Sequence, residues 1–281
     1  MSSTLWYRFL AHALVTYIEP MTPGSPPLVE EVEVKSVSDL LTDLSTYSND
    51  ELLWYRGQAR SSWLLEPSLV RLDGVRDEKP LMEEFKRDAI PLLTRADLSG
   101  WSLTEWDWMF IMQHYHVPTR LLDWSESPLI GLFFALDETG VDDAAGPAAL
   151  WLLKPQVLNE AARVTYDQKW RVPVCDVTDE KDDDVGKYLP SQLATGRRLD
   201  PLALIGIRRF DRIRAQSGAF TIAHRDPRPL EIEAPQALKK YIIPHDSKEF
   251  IREELDRLGV HAASIYPDLE HLGRRVGRRI S

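Results

Sequence analysis

Between Phe110 and Leu136 the chain reads FIMQHYHVPTRLLDWSESPLIGLFFAL. Most of this stretch is apolar enough to be core, yet it carries His114, His116, Arg120, Asp123, Ser125, Glu126 and Ser127. A buried polar group without a partner costs about 1–3 kcal/mol. These side chains therefore hold one another or hold a ligand, and either outcome fixes how the surrounding elements meet. The preceding SLTEWDWMFIMQHYH opens with a capping box, Ser102 to Glu105, and predicts a largely buried helix. TRLLDW reads as a buried strand. Ser127-Pro128 then supplies a cap residue followed by proline at the first helical position, and an apolar helix runs on to Leu136.

Elsewhere the spacing is also informative. SVSDLLTDLS has helical apolar spacing with Ser36 or Ser38 as its cap. ELLWYRGQ is a short aromatic strand running into a turn at Gly57. EKPLMEEFKRDAIPLL places Leu81, Phe85 and Ala89 on one helical face. AALWLLKP, RIRAQSGAFTIAH and ALKKYIIPH read as strands. SKEFIREELDRLGV is an amphipathic helix capped by Ser247 and ended by Gly259, and a short helix with a basic tail follows. Strands and helices do not alternate regularly, so the expected class is α+β and not a doubly wound parallel sheet. Residues 20–28, PMTPGSPPL, form a connector. The segment before it has no charged start and is interrupted by Arg8 and His12, so it reads as a strand or short helix of the fold and not as a secretory peptide.

Composition narrows the function classes. The chain has 43% hydrophobic and 28% charged residues, which is globular usage and not that of a disordered chain. Its net charge of −10 gives no overall basic field to recruit nucleic acid. Cys175 is the sole cysteine, which rules out an intramolecular disulfide and a cysteine-based metal cluster. No apolar run approaches the ~20 residues that span a bilayer, and a cytoplasmic location is expected. There is no phosphate loop, dinucleotide G-x-G-x-x-G, G-x-S-x-G elbow or H-E-x-x-H motif.

Local chemistry leaves alternatives open. Arg56, followed by Gly57 and Gln58, presents a fork for a phosphate or a ribose diol, with Gly57 allowing a ligand close to the backbone. Equally, it is a buried arginine paired with a carboxylate such as Asp123. The amides at the Ser127 helix start bind an anion, or are capped by Ser127 itself. His114 and His116 stand two apart, which on a helix points them in different directions, so no metal site is expected from them.

LLWYRGQ, QHYHVPTRLLDWSESPLIGLFFAL, RIRAQSGAFT and LGVHAASIYPDLEHL resemble, in this order, the motifs of the FRG domain. That family is named for a Phe/Tyr-Arg-Gly triplet, here Tyr55-Arg56-Gly57. The resemblance covers residues 30–275 and divides the chain into a segment and connector, 1–29, and an FRG domain, 30–281. The motif order is similar to that of ADP-ribosyltransferases, which hold NAD in a cleft between two small antiparallel sheets. This implies split antiparallel sheets forming a cleft with packed helices.

By the same resemblance, NAD is the cofactor. Arg56 with Gly57 and Gln58 lies on the first strand. Ser125 lies on the second, with Thr119, Arg120, Asp123, Trp124 and Ser127 around it. Gln216 lies at the third, with Phe220 beyond it. Tyr115 or Trp124 stacks on nicotinamide. Gln216 stands where a glutamate is usual and cannot ionise, which shifts a catalytic role toward Glu126, Asp123 or His114. The implied activity is transfer of ADP-ribose to a protein or nucleic-acid acceptor, as a toxin or anti-phage (antiviral defence) effector with an antitoxin or regulatory partner. Arg60, Arg71, Arg208, Arg209, Arg212 and Arg214 form a basic rim for nucleic acid, or are scattered and paired. Two other readings remain: a non-catalytic nucleotide- or protein-binding module whose polar cluster satisfies itself, and a metal-dependent hydrolase using Asp123, Glu126 and His114.

Overall fold

The computed structural model describes residues 29–71, 77–92, 103–137, 146–164, 183–193, 197–206, 218–266 and 269–278. The N-terminal segment and its connector, Ser102, the acidic stretch around Cys175, and Gln216 with Arg208, Arg209, Arg212 and Arg214 lie outside the described residues. The described residues contain seven strands: β1 (Glu30–Glu33), β2 (Trp54–Gln58), β3 (Leu121–Ser125), β4 (Ala148–Leu153), β5 (Leu202–Leu204), β6 (Gly218–Ile222) and β7 (Leu238–Ile243). They form one sheet in the order β1-β7-β4-β2-β3-β6-β5. Among the described residues, only the β1–β7 pair runs parallel.

The mixed α+β class expected from the sequence is therefore seen, but the two sheets expected from the resemblance are joined into one. The junction is narrow. β2 meets β3 only at Tyr55–Ser125, whereas β2 shares five residue pairs with β4, and β3 shares five with β6.

The main helices are α1 (Val37–Leu44), α2 (Glu78–Ala89), α3 (Glu105–His114), α4 (Pro128–Ala135), α5 (Pro155–Ala161), α6 (Asp183–Gly186), α7 (Leu230–Glu233), α8 (Lys248–Arg257), α9 (Ala262–Ile265) and α10 (Leu269–Arg278). Local signals set their ends. Ser36 Oγ accepts from the Asp39 amide at 3.0 Å, and Ser127 Oγ from Ile130 at 3.4 Å. The capping box of α3 is two residues later than its spacing first indicates. Thr104 and Asp107 exchange the bonds, and Asp107 is buried at the third helical position. Ser247 precedes α8 without a side-chain cap bond, and Gly259 closes it with φ +81°.

Because side chains alternate along a strand, the sheet sorts its core into two faces. Trp54, Trp124, Trp151 and Ala219 share one face with Leu65 and Leu230. On the other face, Tyr55, Leu150 and Tyr241 pack with Leu40, Leu132 and Ile251 from α1, α4 and α8. Leu121, Phe220 and Leu204 pack with Met82, Met109 and Met112 from α2 and α3. The helical side thus carries two groups of core residues, one over each half of the sheet, and the halves part beyond Tyr55–Ser125.

Helix α4 lies against β2 at backbone distance. A Cβ on Gly57 would stand 2.2 Å from both the Ala135 amide nitrogen and the Gly131 carbonyl oxygen. A Cβ on Gly131 would stand 2.9 Å from the Tyr55 Cβ and 2.7 Å from Leu150 Cδ1. The pair of glycines lets strand and helix touch directly, and nothing on the Gly57 side can relax except backbone. Gly57→Ala is expected to lower the unfolding free energy by about 3 kcal/mol or more, read as a fall in the urea midpoint. Gly131→Ala should cost less, since the Leu150 side chain can move. Equal, small effects would mean that the close approach is not set by these residues.

Candidate functional site

Past the Tyr55–Ser125 pair, the gap between β2 and β3 opens into a cavity of ≈ 640 Å³. Its walls come from both strands, the 59–71 loop and the C-terminal ends of α3 and α4. Gly57 faces α4, so its neighbour Arg56 leaves the other side of the strand. Arg56 Nη1 donates to the Asp123 carbonyl at 2.8 Å and lies 3.8 Å from the Asp123 carboxylate. A side chain thereby bridges the place where the ladder has stopped. Arg56 Nε is buried and has no hydrogen-bond partner among the described residues. Burial pulls the Arg56 pKa down, the Asp123 carboxylate pushes it back up, and the Arg71 guanidinium lowers it further.

A chain of bonds fixes Asp123 from behind. Gln113 Nε2 donates to Asp123 Oδ2 at 2.6 Å, and Thr119 Oγ1 donates to Gln113 Oε1. Thr119 Oγ1 accepts from the Leu121 amide at 3.2 Å, and the Thr119 amide donates to Ser68 Oγ at 3.1 Å. The 59–71 loop is held at its other end by Gln58, whose Nε2 donates to the Leu64 carbonyl at 3.1 Å and whose Oε1 accepts from Trp151 Nε1 at 2.7 Å.

The structure brings Arg56, Gly57, Gln58, His114, Asp123, Trp124, Ser125 and Phe220 to the cavity wall. It does not bring Tyr115, Thr119, Arg120, Glu126 or Ser127 there. Tyr115 is 58% exposed on the helix end. Thr119 is buried and serves Gln113. The Ser127 start is capped: Ser125 Oγ accepts from the Ser127 amide at 3.1 Å and Ser127 Oγ takes the Ile130 amide, so this end is closed by its own side chains. Gly57 makes room for α4, and that is the reason for a glycine there. Trp124 lines the cavity with its Nε1 donating to Thr221 Oγ1 at 3.0 Å.

Arg120 belongs to the frame. It is 1% exposed, and its Nε donates to Glu78 Oε2 at 2.9 Å while its backbone amide donates to Glu78 Oε1 at 2.9 Å. Its remaining nitrogens reach the carbonyls of Ala223 at 2.7 Å and Tyr188 at 2.5 Å. The first turn of α2 is thus tied to β3 by an ion pair with no solvent. His224 packs edge-on to Tyr188 beside it, at 5.4 Å between ring centroids. Burial first, and then the Arg120 guanidinium, lower its pKa to about 4.

Sequence reasoning missed Trp63, Glu66, Gln113 and Asp137, all on the wall. It also separated His114 from His116. Helix α3 ends at His114, His116 takes φ +61°, and both residues line the same cavity. Among the described residues, no group of three His, Cys, Asp or Glu side chains is placed to hold a metal ion. Among them also, no helix is long and apolar enough to cross a membrane.

Two stability measurements follow. Glu78→Gln leaves the Arg120 guanidinium buried without its counter-charge and should lose about 3–5 kcal/mol in chemical denaturation, a loss that an exposed pair would not show. His224 is folded with a pKa below its ordinary value of about 6.5, so its contribution is complete above that pH and is lost as pH falls toward 4. Stability measured from pH 7 to 4 should drop more steeply in the native chain than in His224→Gln; parallel curves would contradict the assignment.

Residues 51–144 match the family model described as FRG domain. That interval contains β2, α2, α3, β3 and α4, and with them the Tyr55-Arg56-Gly57 triplet and the segment from Pro118 to Trp124. Strands β4 to β7 lie beyond it. No curated protein and no solved structure matches the chain.

Proposed function

From a chain that carries an FRG domain, we propose an ADP-ribosyltransferase-like enzyme that binds NAD in the cleft between β2 and β3. The observation that carries this reading is the row Tyr55–Ser125–Gly218. It sets the Tyr-Arg-Gly strand, the strand ending in Ser125 and the strand begun by Gly218 side by side, with a cavity opening next to the row. These are the three motifs whose order resembles that of the transferases. The volume falls within the ~300–1,000 Å³ range of small-molecule sites.

The wall fits a dinucleotide in kind. Arg56 and Arg71 offer guanidinium groups to a pyrophosphate, and the Arg56 Nε, which has no partner among the described residues, is a further donor. Trp63 and Trp124 offer aromatic surface for a base or a nicotinamide ring. Cleaving the bond between nicotinamide and ribose develops positive charge on the sugar, so a carboxylate facing it favours the transition state. With glutamine at position 216, Glu66, Asp123 and Asp137 are the carboxylates the wall supplies. Asp123 is held in place by Arg56 and Gln113, which suits a fixed electrostatic role. His114 stands on the wall as a general acid or base for the acceptor. The acceptor, nucleic acid or protein, meets a wall that includes Arg71. A toxin or antiviral-defence role, with an antitoxin or regulatory partner, goes with this reading and rests on the resemblance alone.

A second reading has an observation of its own. The Arg56–Asp123–Gln113–Thr119 chain joins its members by hydrogen bonds within the protein and needs no ligand to do so, as expected of a non-catalytic binding module.

Calorimetric titration with NAD and incubation of the protein with labelled NAD and cell lysate separate the two. The enzyme reading expects saturable NAD binding, label on an acceptor, and an Arg56→Ala variant that still folds but binds at least ~10-fold more weakly, the equivalent of one charge-assisted hydrogen bond. No binding and no transfer, with Arg56→Ala unfolded, would leave the module.

A further inference from the structure

The geometry points to His116 as a ligand-contacting residue of the cleft, one that meets a phosphate-bearing ligand from a backbone position normally given to glycine. The inference rests on the nucleotide reading above and adds a residue to that site.

Helix α3 ends in a Schellman arrangement. The Val117 amide donates to the Met112 carbonyl at 2.9 Å, and the His116 amide donates to Gln113 at 3.2 Å. This ending needs one residue in the left-handed region, here His116 with φ +61°. Helix α8 ends in the same way, with Val260 donating to Leu255 at 2.8 Å and Gly259 to Asp256 at 3.0 Å. There the left-handed residue is the expected Gly259, with φ +81°. Helix α5 repeats the pattern a third time, with Val164 bonded to Asn159, Arg163 to Glu160, and Arg163 at φ +58°.

A Cβ in this conformation is strained, because it crowds the following carbonyl. The strain is the same in kind at His116 and Arg163, but their surroundings differ. Both residues are exposed, but Arg163 is not part of the cavity wall. His116 is on that wall, just past the helix end that carries His114. The wall also carries Arg56 and Arg71, so the imidazole adds a hydrogen-bond donor to a set of cationic donors. Of the acidic groups on the wall, Asp123 is already engaged by Gln113 and Arg56, while Glu66 and Asp137 complete the charged lining. A donor set of this kind recognises phosphate oxygens. Glycine at 116 would end α3 with less strain and give up that donor.

The experiment compares the native chain with His116→Gly and Arg163→Gly. Thermal melting gives the strain, and calorimetric titration with NAD and with inorganic pyrophosphate gives the contact. Both variants are expected to melt about 2–4 °C higher, since each removes a left-handed Cβ. Only His116→Gly should weaken both probes, by about tenfold or more. Unchanged affinity in His116→Gly overturns the inference while leaving the nucleotide reading intact. A lower melting point in His116→Gly also overturns it, since the imidazole would then be a structural group. If neither probe binds the native chain, the nucleotide reading falls and takes this inference with it.

Discussion

Helix α4 rests on strand β2 through two glycines, and the site is arranged around that contact. Gly57 gives up its side-chain position to the backbone of Gly131 and Ala135. Because neighbours on a strand point to opposite faces, Arg56 must leave on the other side. It is this geometric consequence, and not a glycine opened to a ligand, that couples the two residues of the Arg-Gly step. One fixes the strand to its helix, and the other is then directed across the gap to β3.

The gap is where the sheet is least continuous. A ladder that holds at only one pair leaves backbone groups beyond it to be satisfied some other way. Arg56 does this for the Asp123 carbonyl. Gln113, Thr119 and Ser68 hold the next layer, so the opening is braced and not collapsed. Behind it, the Arg120–Glu78 pair ties α2 to β3 in a region without solvent. A pair buried so completely contributes little net stability compared with apolar packing, but losing one partner is costly, so it fixes the position of α2 more than it adds to stability. The arginine of the Pro-Thr-Arg-Leu-Leu-Asp-Trp segment is thus architectural, while the aspartate three residues later faces the cleft.

Some of this was legible in the sequence. Caps act locally, so Ser36, Ser127 and Gly259 marked helix ends where they are seen, and the strand at Trp54–Gln58 was readable from its aromatic content, although the turn expected at Gly57 is not there: Gly57 pairs with Leu150 inside the strand. What depends on distant partners was not. No local pattern links Gly57 to Gly131, or Glu78, an ordinary acidic residue in a first helical turn, to Arg120. The sheet order, and the merging of two expected sheets into one, arise from pairings that periodicity does not encode. His116 was misplaced for a specific reason: with no glycine or asparagine to signal the end of α3, the helix is read two residues too far, and two histidines that share a wall appear to diverge. The cleft-lining set was legible where a strand carried it, as at Arg56, Asp123 and Ser125, and missed where a loop did, as at Trp63 and Glu66.

The most direct test of the central claim is a crystal structure of the native chain soaked with NAD. It should show the dinucleotide between β2 and β3, its pyrophosphate beside the Arg56 guanidinium and an aromatic ring of the wall against one of its bases. A dinucleotide bound elsewhere, or a gap filled by the chain's own side chains with none bound, would contradict the account.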